Sequence, residues 1–155
     1  MAAPSPTTRT PPTGQPMRDG YQTLITFENA DSIIFWEKGV QPPGLEGGDP
    51  IDATTMHNET WRTFGTPALI TLTPSSTRVA YDPAVFDTIV SIINVETTIT
   101  ITFPDGSTLA FFGRLQNFEP DELVEGSQPE ASVTIAATNW DTGDNTEAAP
   151  LYTAS

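Results

Sequence analysis

Residues 97–115 read TTITITFPDGSTLAFFGRL, and this stretch decides the fold class. From Thr97 to Phe103, threonine alternates with apolar residues. Ile99, Ile101 and Phe103 fall on one side of an extended chain, and Thr98, Thr100 and Thr102 on the other. A period of two marks a half-buried β-strand, with one face for a core and one for water. Pro104-Asp105-Gly106-Ser107 supplies turn residues, and 108–115 (TLAFFGRL) returns as a second strand. Two strand-forming runs about such a turn predict a hairpin.

Working outward, residues 82–94 (DPAVFDTIVSIIN) read as the one helix. Asp82 is a good N-cap, and Pro83 follows at N1, where its missing N–H costs nothing. Val85, Ile89 and Ile92 form one apolar row, and Phe86, Val90 and Ile93 a parallel one. Asn94 suits a left-handed ending. A stripe this wide predicts packing of both rows against a sheet. Upstream, 68–73 (ALITLT) reads as a strand with Ile70 and Leu72 on one face, and 77–80 resumes it. Residues 20–27 (GYQTLITF) and 32–38 (SIIFWEK) read as strands paired through a turn at 29–31. Between them and residue 68 lies 39–66, GVQPPGLEGGDPIDATTMHNETWRTFGT, punctuated by Gly and Pro at its start and without clear period. Long loops inside compact domains are uncommon and tend to be functional or disordered. Downstream, 117–130 reads as an acidic connection, and 131–138 (ASVTIAAT) as a strand with Val133 and Ile135 inward. The sum is a mainly β fold, a β-sandwich or small barrel with one flanking α-helix and a long loop. The expected layout is a Pro- and Thr-rich N-terminal arm at 1–19, a single β domain at 20–139, and a polar C-terminal arm at 140–155.

Composition narrows the function. The chain has 155 residues, of which 37% are hydrophobic, below the roughly 45–50% of an average globular chain. Twenty acidic residues face six basic ones, for a formal charge of -14 and a pI near 4.1. Affinity for phosphate comes from Lys and Arg, so a tight grip on nucleic acid or an anionic membrane is disfavoured. The absence of cysteine removes disulfides, thiolate catalysis and Cys-ligated metals. No apolar run approaches the ~18–20 residues of a membrane span. The opening MAAPSPTTRTPPTGQPMRDG has no apolar core like that of a signal peptide. These features predict a soluble protein made in the cytosol, with no cofactor and no membrane partner.

Candidate chemistry is sparse. A nucleophile–His–acid set would have to use His57, the only histidine, and no G-x-S-x-G elbow exists. Asp49, Asp52, His57 and Glu59 are oxygen-rich but match no calcium-loop or zinc-helix spacing. Asp121 with Glu122 and Glu125 could be drawn as a glycosidase dyad, but reads better as a solvated charge run. Gly44 and Gly47-Gly48 lack the basic residue of a phosphate loop. The 39–66 loop offers more. Trp61 and Phe64 are large aromatics that either dock on a partner or cap the chain's own core. Arg62, among carboxylates such as Asp52 and Glu59, is either a subunit anchor or one half of an internal salt bridge. Trp61, Arg62, Phe64, Asp52 and Glu59 are the candidate interface residues, and no catalytic residue is assigned.

The stretch from IDATTMHNETWRTF through YDPAVFDTIVSIIN to ITITFPDGSTLAFFGRLQNFEPDELVEGSQPEASVTIAATN resembles the tail tube (major tail) proteins of long-tailed bacteriophages. Trp61-Arg62, Tyr81-Asp82-Pro83, Thr102–Ser107 and Glu125-Gly126 with Pro129 carry the likeness, which spans about residues 50–139. The resemblance implies a β-sandwich or barrel with one helix, assembled into hexameric rings that stack into a tube for DNA. It implies a loop, falling at 39–66, that reaches a neighbouring subunit or ring. It also implies partners at the tail tip or baseplate, tail terminator proteins, and a tape measure protein and DNA in the bore. A hexamer would carry about 6 × -14 = -84 formal charges, and a wall of like sign keeps DNA centred within the ~8 Å Debye length. The expected location is the virion tail. An alternative reading is a β-sandwich adhesion or carbohydrate-binding module stacking sugars on Trp36, Trp61 or Trp140. A hydrolase using acidic residues is a third.

Overall fold

A computed structural model describes residues 19–30 and 35–154. The described part of the chain is mainly antiparallel β-sheet with one α-helix. Its strands are β1 (Leu24–Phe27), β2 (Trp36–Gln41), β3 (Leu45–Glu46), β4 (Ile51–Asp52), β5 (Phe64–Gly65), β6 (Thr71–Leu72) and β7 (Ser75–Ala80). After the helix come β8 (Thr97–Thr102), β9 (Thr108–Pro120), β10 (Glu130–Ala137), β11 (Trp140–Asp141), β12 (Thr146–Glu147) and β13 (Leu151–Thr153). Most of the expected 1–19 arm, and residues 31–34 of the expected first turn and second strand, lie outside the described residues.

The hairpin at 97–115 forms as its alternation predicts. β8 and β9 pair antiparallel from Thr102↔Thr108 to Thr97↔Gly113. Asp105 Oδ1 accepts hydrogen bonds from the Ser107 N–H at 2.9 Å and Ser107 Oγ at 2.6 Å, and Gly106 takes the positive φ that the turn requires. Ile99 and Ile101 are fully buried, while Thr98, Thr100 and Thr102 stay half-exposed. β9 runs on to Pro120, so the first residues of the expected 117–130 connection belong to the strand.

The main sheet has the order β1-β8-β9-β10-β7-β2, and β13 pairs with β9 as well. β9 is long enough for two neighbours on one side. β10 pairs with it from Gly113 to Pro120, and β13 with its residues 108–110. The expected hairpin between the first two strands does not form. β1 pairs with β8 and β2 with β7, at opposite edges of the sheet. The two edges nevertheless meet, because the twisted sheet curls on itself. The Ile25 N–H donates to Glu37 Oε1 at 3.3 Å, a side chain closing the seam where no ladder does. Burial raises the Glu37 carboxyl above its ordinary range, against the lowering effect of backbone N–H donors. The fold is therefore a barrel-like curled sheet.

Inside the curl sit Ile25, Phe27, Val79, Ile99, Ile101, Phe111, Leu115, Val133 and Ile135. Phe35 touches Phe27 edge-on at 6.1 Å between ring centres and stacks on Phe118 at 6.2 Å, joining the seam to the core. Gly113 is forced by crowding. A Cβ there would lie 2.5 Å from the Ala136 carbonyl oxygen.

The helix closes one end. Asp82 caps it, its carboxylate accepting from the Ala84 N–H at 3.0 Å, ahead of a 3-10 turn at Pro83–Val85 and α1 (Phe86–Ile92). Asn94 adopts the expected left-handed conformation. Only one apolar row is fully used. Ile89 and Ile92 are buried, whereas Phe86 and Val90 face solvent. Two turns resting on the end of a curled sheet present one stripe to it; of the second row Ile93 is half-buried beside Leu115, and nothing among the described residues covers Phe86 and Val90.

Candidate functional site

The 39–66 stretch is not a structureless loop. β2 continues to Gln41, and the chain then leaves the sheet as a two-stranded arm that returns at residue 73. Its base is the β3/β6 ladder, Leu45↔Leu72 and Glu46↔Thr71. The Thr73 N–H donates to the Gly44 carbonyl at 2.8 Å, and the Gly44 N–H to Thr73 Oγ1 at 2.8 Å. Ser75 Oγ ties this base to the Gln41 carbonyl at 2.7 Å. Further out, β4 and β5 pair as Ile51↔Gly65 and Asp52↔Phe64. Between the ladders Gly48, at positive φ, lets Pro67 approach.

Side chains hold the tip, residues 53–63. Asn58 is its hub. Its Oδ1 accepts from the Thr55 N–H at 2.9 Å, and its Nδ2 donates to the Trp61 carbonyl at 2.8 Å. The Thr63 N–H donates to Thr54 Oγ1 at 3.0 Å. Local side-chain bonds of this kind replace ladder bonds where a chain must turn. Sequence reasoning missed Asn58, although Thr54, Thr55 and Asn58 are turn-forming residues in a run without apolar period.

The arm brings together part of the expected interface set. Arg62 Nη1 pairs with Asp52 Oδ2 at 3.3 Å across the ladder, and both are well exposed. Asp52 is held below its usual range, first by Thr54 and then by Arg62. Trp61 is 80% exposed and Phe64 60%, so neither caps the core. Ile51 and Met56 are also exposed, and Glu59 is exposed beside Trp61 on the tip. His57 lies in the same turn, its N–H donating to Thr55 Oγ1. Among the described residues no three His, Asp or Glu side chains converge as metal ligands would.

A second surface lies beside the arm's base. Leu45, Leu69, Ile70 and Leu72 line a mainly apolar groove of about 530 Å3, completed by Ala148 and Pro150 of the C-terminal segment. That segment is held by the β11/β12 hairpin (Trp140↔Glu147), by the Ala148 N–H to the Asn139 carbonyl at 2.9 Å, and by β13 on β9. The expected strand at 68–73 is reduced to Thr71–Leu72. Leu72 is buried, but Ile70, expected to share its face, is 70% exposed, and Leu69 is 82% exposed.

The outer face of the sheet is rich in hydroxyls and crossed by ion pairs. Thr98, Thr100, Ser132 and Thr134 stand half-exposed on it. Arg78 pairs with Asp121 at 2.5 Å and with Glu130 at 2.6 Å, and Lys38 with Glu130 at 2.7 Å. Lys38 and then Arg78 hold the Glu130 carboxyl down to about 2. Arg114 donates to Asn94 Oδ1 at 2.6 Å. Each of the four cations among the described residues thus has a protein acceptor. Asp121, one of the three acids that could have formed a dyad, is committed to Arg78. Trp36 and Trp140 are exposed like Trp61, but the three lie on different elements: β2, β11 and the arm tip.

No protein-family model and no curated protein sequence matches the chain. Solved structures do share its fold. A chain of the virion of a native gene transfer agent particle superposes with a TM-score of 0.60 at 14% identity, covering 89% of this chain and 100% of that one. A chain of the tail of an empty gene transfer agent particle, refined with C6 symmetry, gives 0.59 at 11% identity with the same coverage. A chain of the six-fold symmetrised baseplate of an anti-feeding prophage gives 0.52 at 10% identity, covering 85% of this chain and 91% of that one.

Proposed function

We propose that the chain is a structural subunit of a phage-like tail, and within it the tail tube subunit. Copies of it form stacked hexameric rings around a bore that conducts DNA. The observation that carries this reading is the shared fold over the full length of a chain from a C6-symmetric tail. Its work is geometric and needs no cofactor.

Two features of the chain support conduction without adhesion. The charge of -14 sets a repulsive field against phosphate. Among the described residues the cations Lys38, Arg62 and Arg78 are engaged by carboxylates and Arg114 by Asn94, which weakens their hold on a passing phosphate. In this account Trp61, Arg62 and Phe64, with Asp52 and Glu59 beside them, are the contacts between copies. The tail tip or baseplate, the terminator and the tape measure protein are the other partners, and the virion tail is the location. Gold-labelled antibody against the chain, applied to particles from a producing strain, tests this. Regular labelling along the tail is expected. Label confined to capsids or fibres, or absent from particles, overturns the reading.

A further inference from the structure

The described residues present an apolar projection and an apolar recess, both open to solvent. The arm offers Trp61 at its tip and, on opposite faces of the β4/β5 ladder, Phe64 and Ile51, and the groove offers Leu45, Leu69 and Ile70. Large apolar side chains left exposed beside an apolar recess mark an interaction site. We propose that the groove is the acceptor for the arm tip of a second copy of this chain, so that copies join head to tail. This rests on the tube reading and assigns that assembly a specific contact.

The occupant follows from what the chain offers. Among the described residues nothing covers the tip or the groove, since both are exposed in the same folded molecule. The groove's size suits aromatic side chains, being within the range of sites that bury compact apolar groups. Charge agrees as well. Arg62 is the only cation between residues 42 and 73, and Glu147 lines the groove.

The area sets the strength. Two aromatics bury about 150–250 Å2 each, against roughly 800 Å2 per partner in a stable interface. One tip in one groove is therefore an anchor too small to hold a lone dimer tightly. Each copy makes the contact twice, once as donor and once as acceptor. A heterologous contact of that kind propagates, closing into a ring or running along a stack. The protein should remain monomeric when dilute and assemble cooperatively when concentrated.

The absence of cysteine makes a direct test possible. Phe64→Cys and Ile70→Cys both replace exposed side chains, so neither should disturb the fold. The double variant, oxidised at assembling concentration, should give a ladder of covalent multimers that collapses on reduction. An equal mixture of the two single variants should stop at dimers, and each single variant alone should stay uncrosslinked. Tubes that form while the double variant yields no crosslink overturn the groove assignment. Phe64→Cys crosslinking to itself also overturns it, showing a symmetric contact. A ladder without tubes supports head-to-tail docking and refutes the tube. Neither ladder nor tubes, under conditions where the wild-type chain also forms no tubes, removes both readings.

Discussion

Replacing Trp61 with alanine should separate folding from assembly. The side chain is 80% exposed, so its loss should change monomer stability by no more than about 0.5 kcal/mol, the usual range for surface substitutions. For a domain of this size that is at most about 2 °C in Tm. Assembly is different. Burying about 80% of an aromatic side chain worth 150–250 Å2 removes roughly 120–200 Å2 from water, or about 3–5 kcal/mol at 25 cal/mol/Å2. The entropy of fixing the tip reduces this, and interface hot spots start at about 2 kcal/mol. A net loss of about 2–4 kcal/mol per contact raises the critical concentration for assembly roughly 30-fold to 700-fold. The assay pairs thermal melting of dilute protein with pelleting of assembled protein across a concentration series. An unchanged critical concentration would refute the anchor role of Trp61. A Tm drop of many degrees would refute the claim that the tip is independent of the core.

Gly113→Ala should destabilise the fold by about 1–3 kcal/mol or more, because the new methyl meets the Ala136 carbonyl oxygen at 2.5 Å; the urea midpoint reads this, and an unchanged midpoint counts against the crowding argument. Glu130 should contribute to acid stability with a definite sign. Its folded pKa of about 2 lies below the ordinary 4.5, so its contribution is full above about pH 4.5 and is lost as pH falls toward 2. Glu130→Gln should therefore flatten the acid unfolding curve in that window, and an unaltered curve would show that the Lys38 and Arg78 contacts are ineffective. Glu37 has the opposite sign, since burial raises its pKa and its ionised form opposes folding. Glu37→Gln keeps an acceptor for the Ile25 N–H and should raise Tm at neutral pH, with the gap to wild type closing as pH falls; a lower Tm would refute this. Finally, trypsin should cut after Arg62 in the monomer and not in assembled protein. Equal cleavage in both states would show that the tip is not covered.

What could be read from sequence was local. The 97–115 hairpin is written in adjacent residues, as alternation on both sides of a Pro-Asp-Gly turn. The helix start is likewise written in Asp82-Pro83. Pairing partners are not local, and the expected first hairpin failed for that reason. β1 has the composition of a strand, but nothing in Leu24–Phe27 says that its neighbour is β8, more than seventy residues away. The arm was read as loop because its ladders are two residues each, too short to display a period. Trp61, Arg62 and Phe64 could be selected by residue type alone, and the structure brings Asp52 to Arg62. The groove was invisible. ALITLT has the pattern of a buried strand, and a pattern records which residues share a face, not whether the chain supplies anything to cover it. Phe86 and Val90 show the same limit on the helix.

The central claim is that copies of this chain polymerise into a hollow tube. Negative-stain electron microscopy of the purified chain, concentrated stepwise in physiological salt, tests it most directly. Stacked rings with six-fold end views and an open bore are the predicted result. Featureless monomers at every concentration would contradict the account, as would solid fibres without a bore.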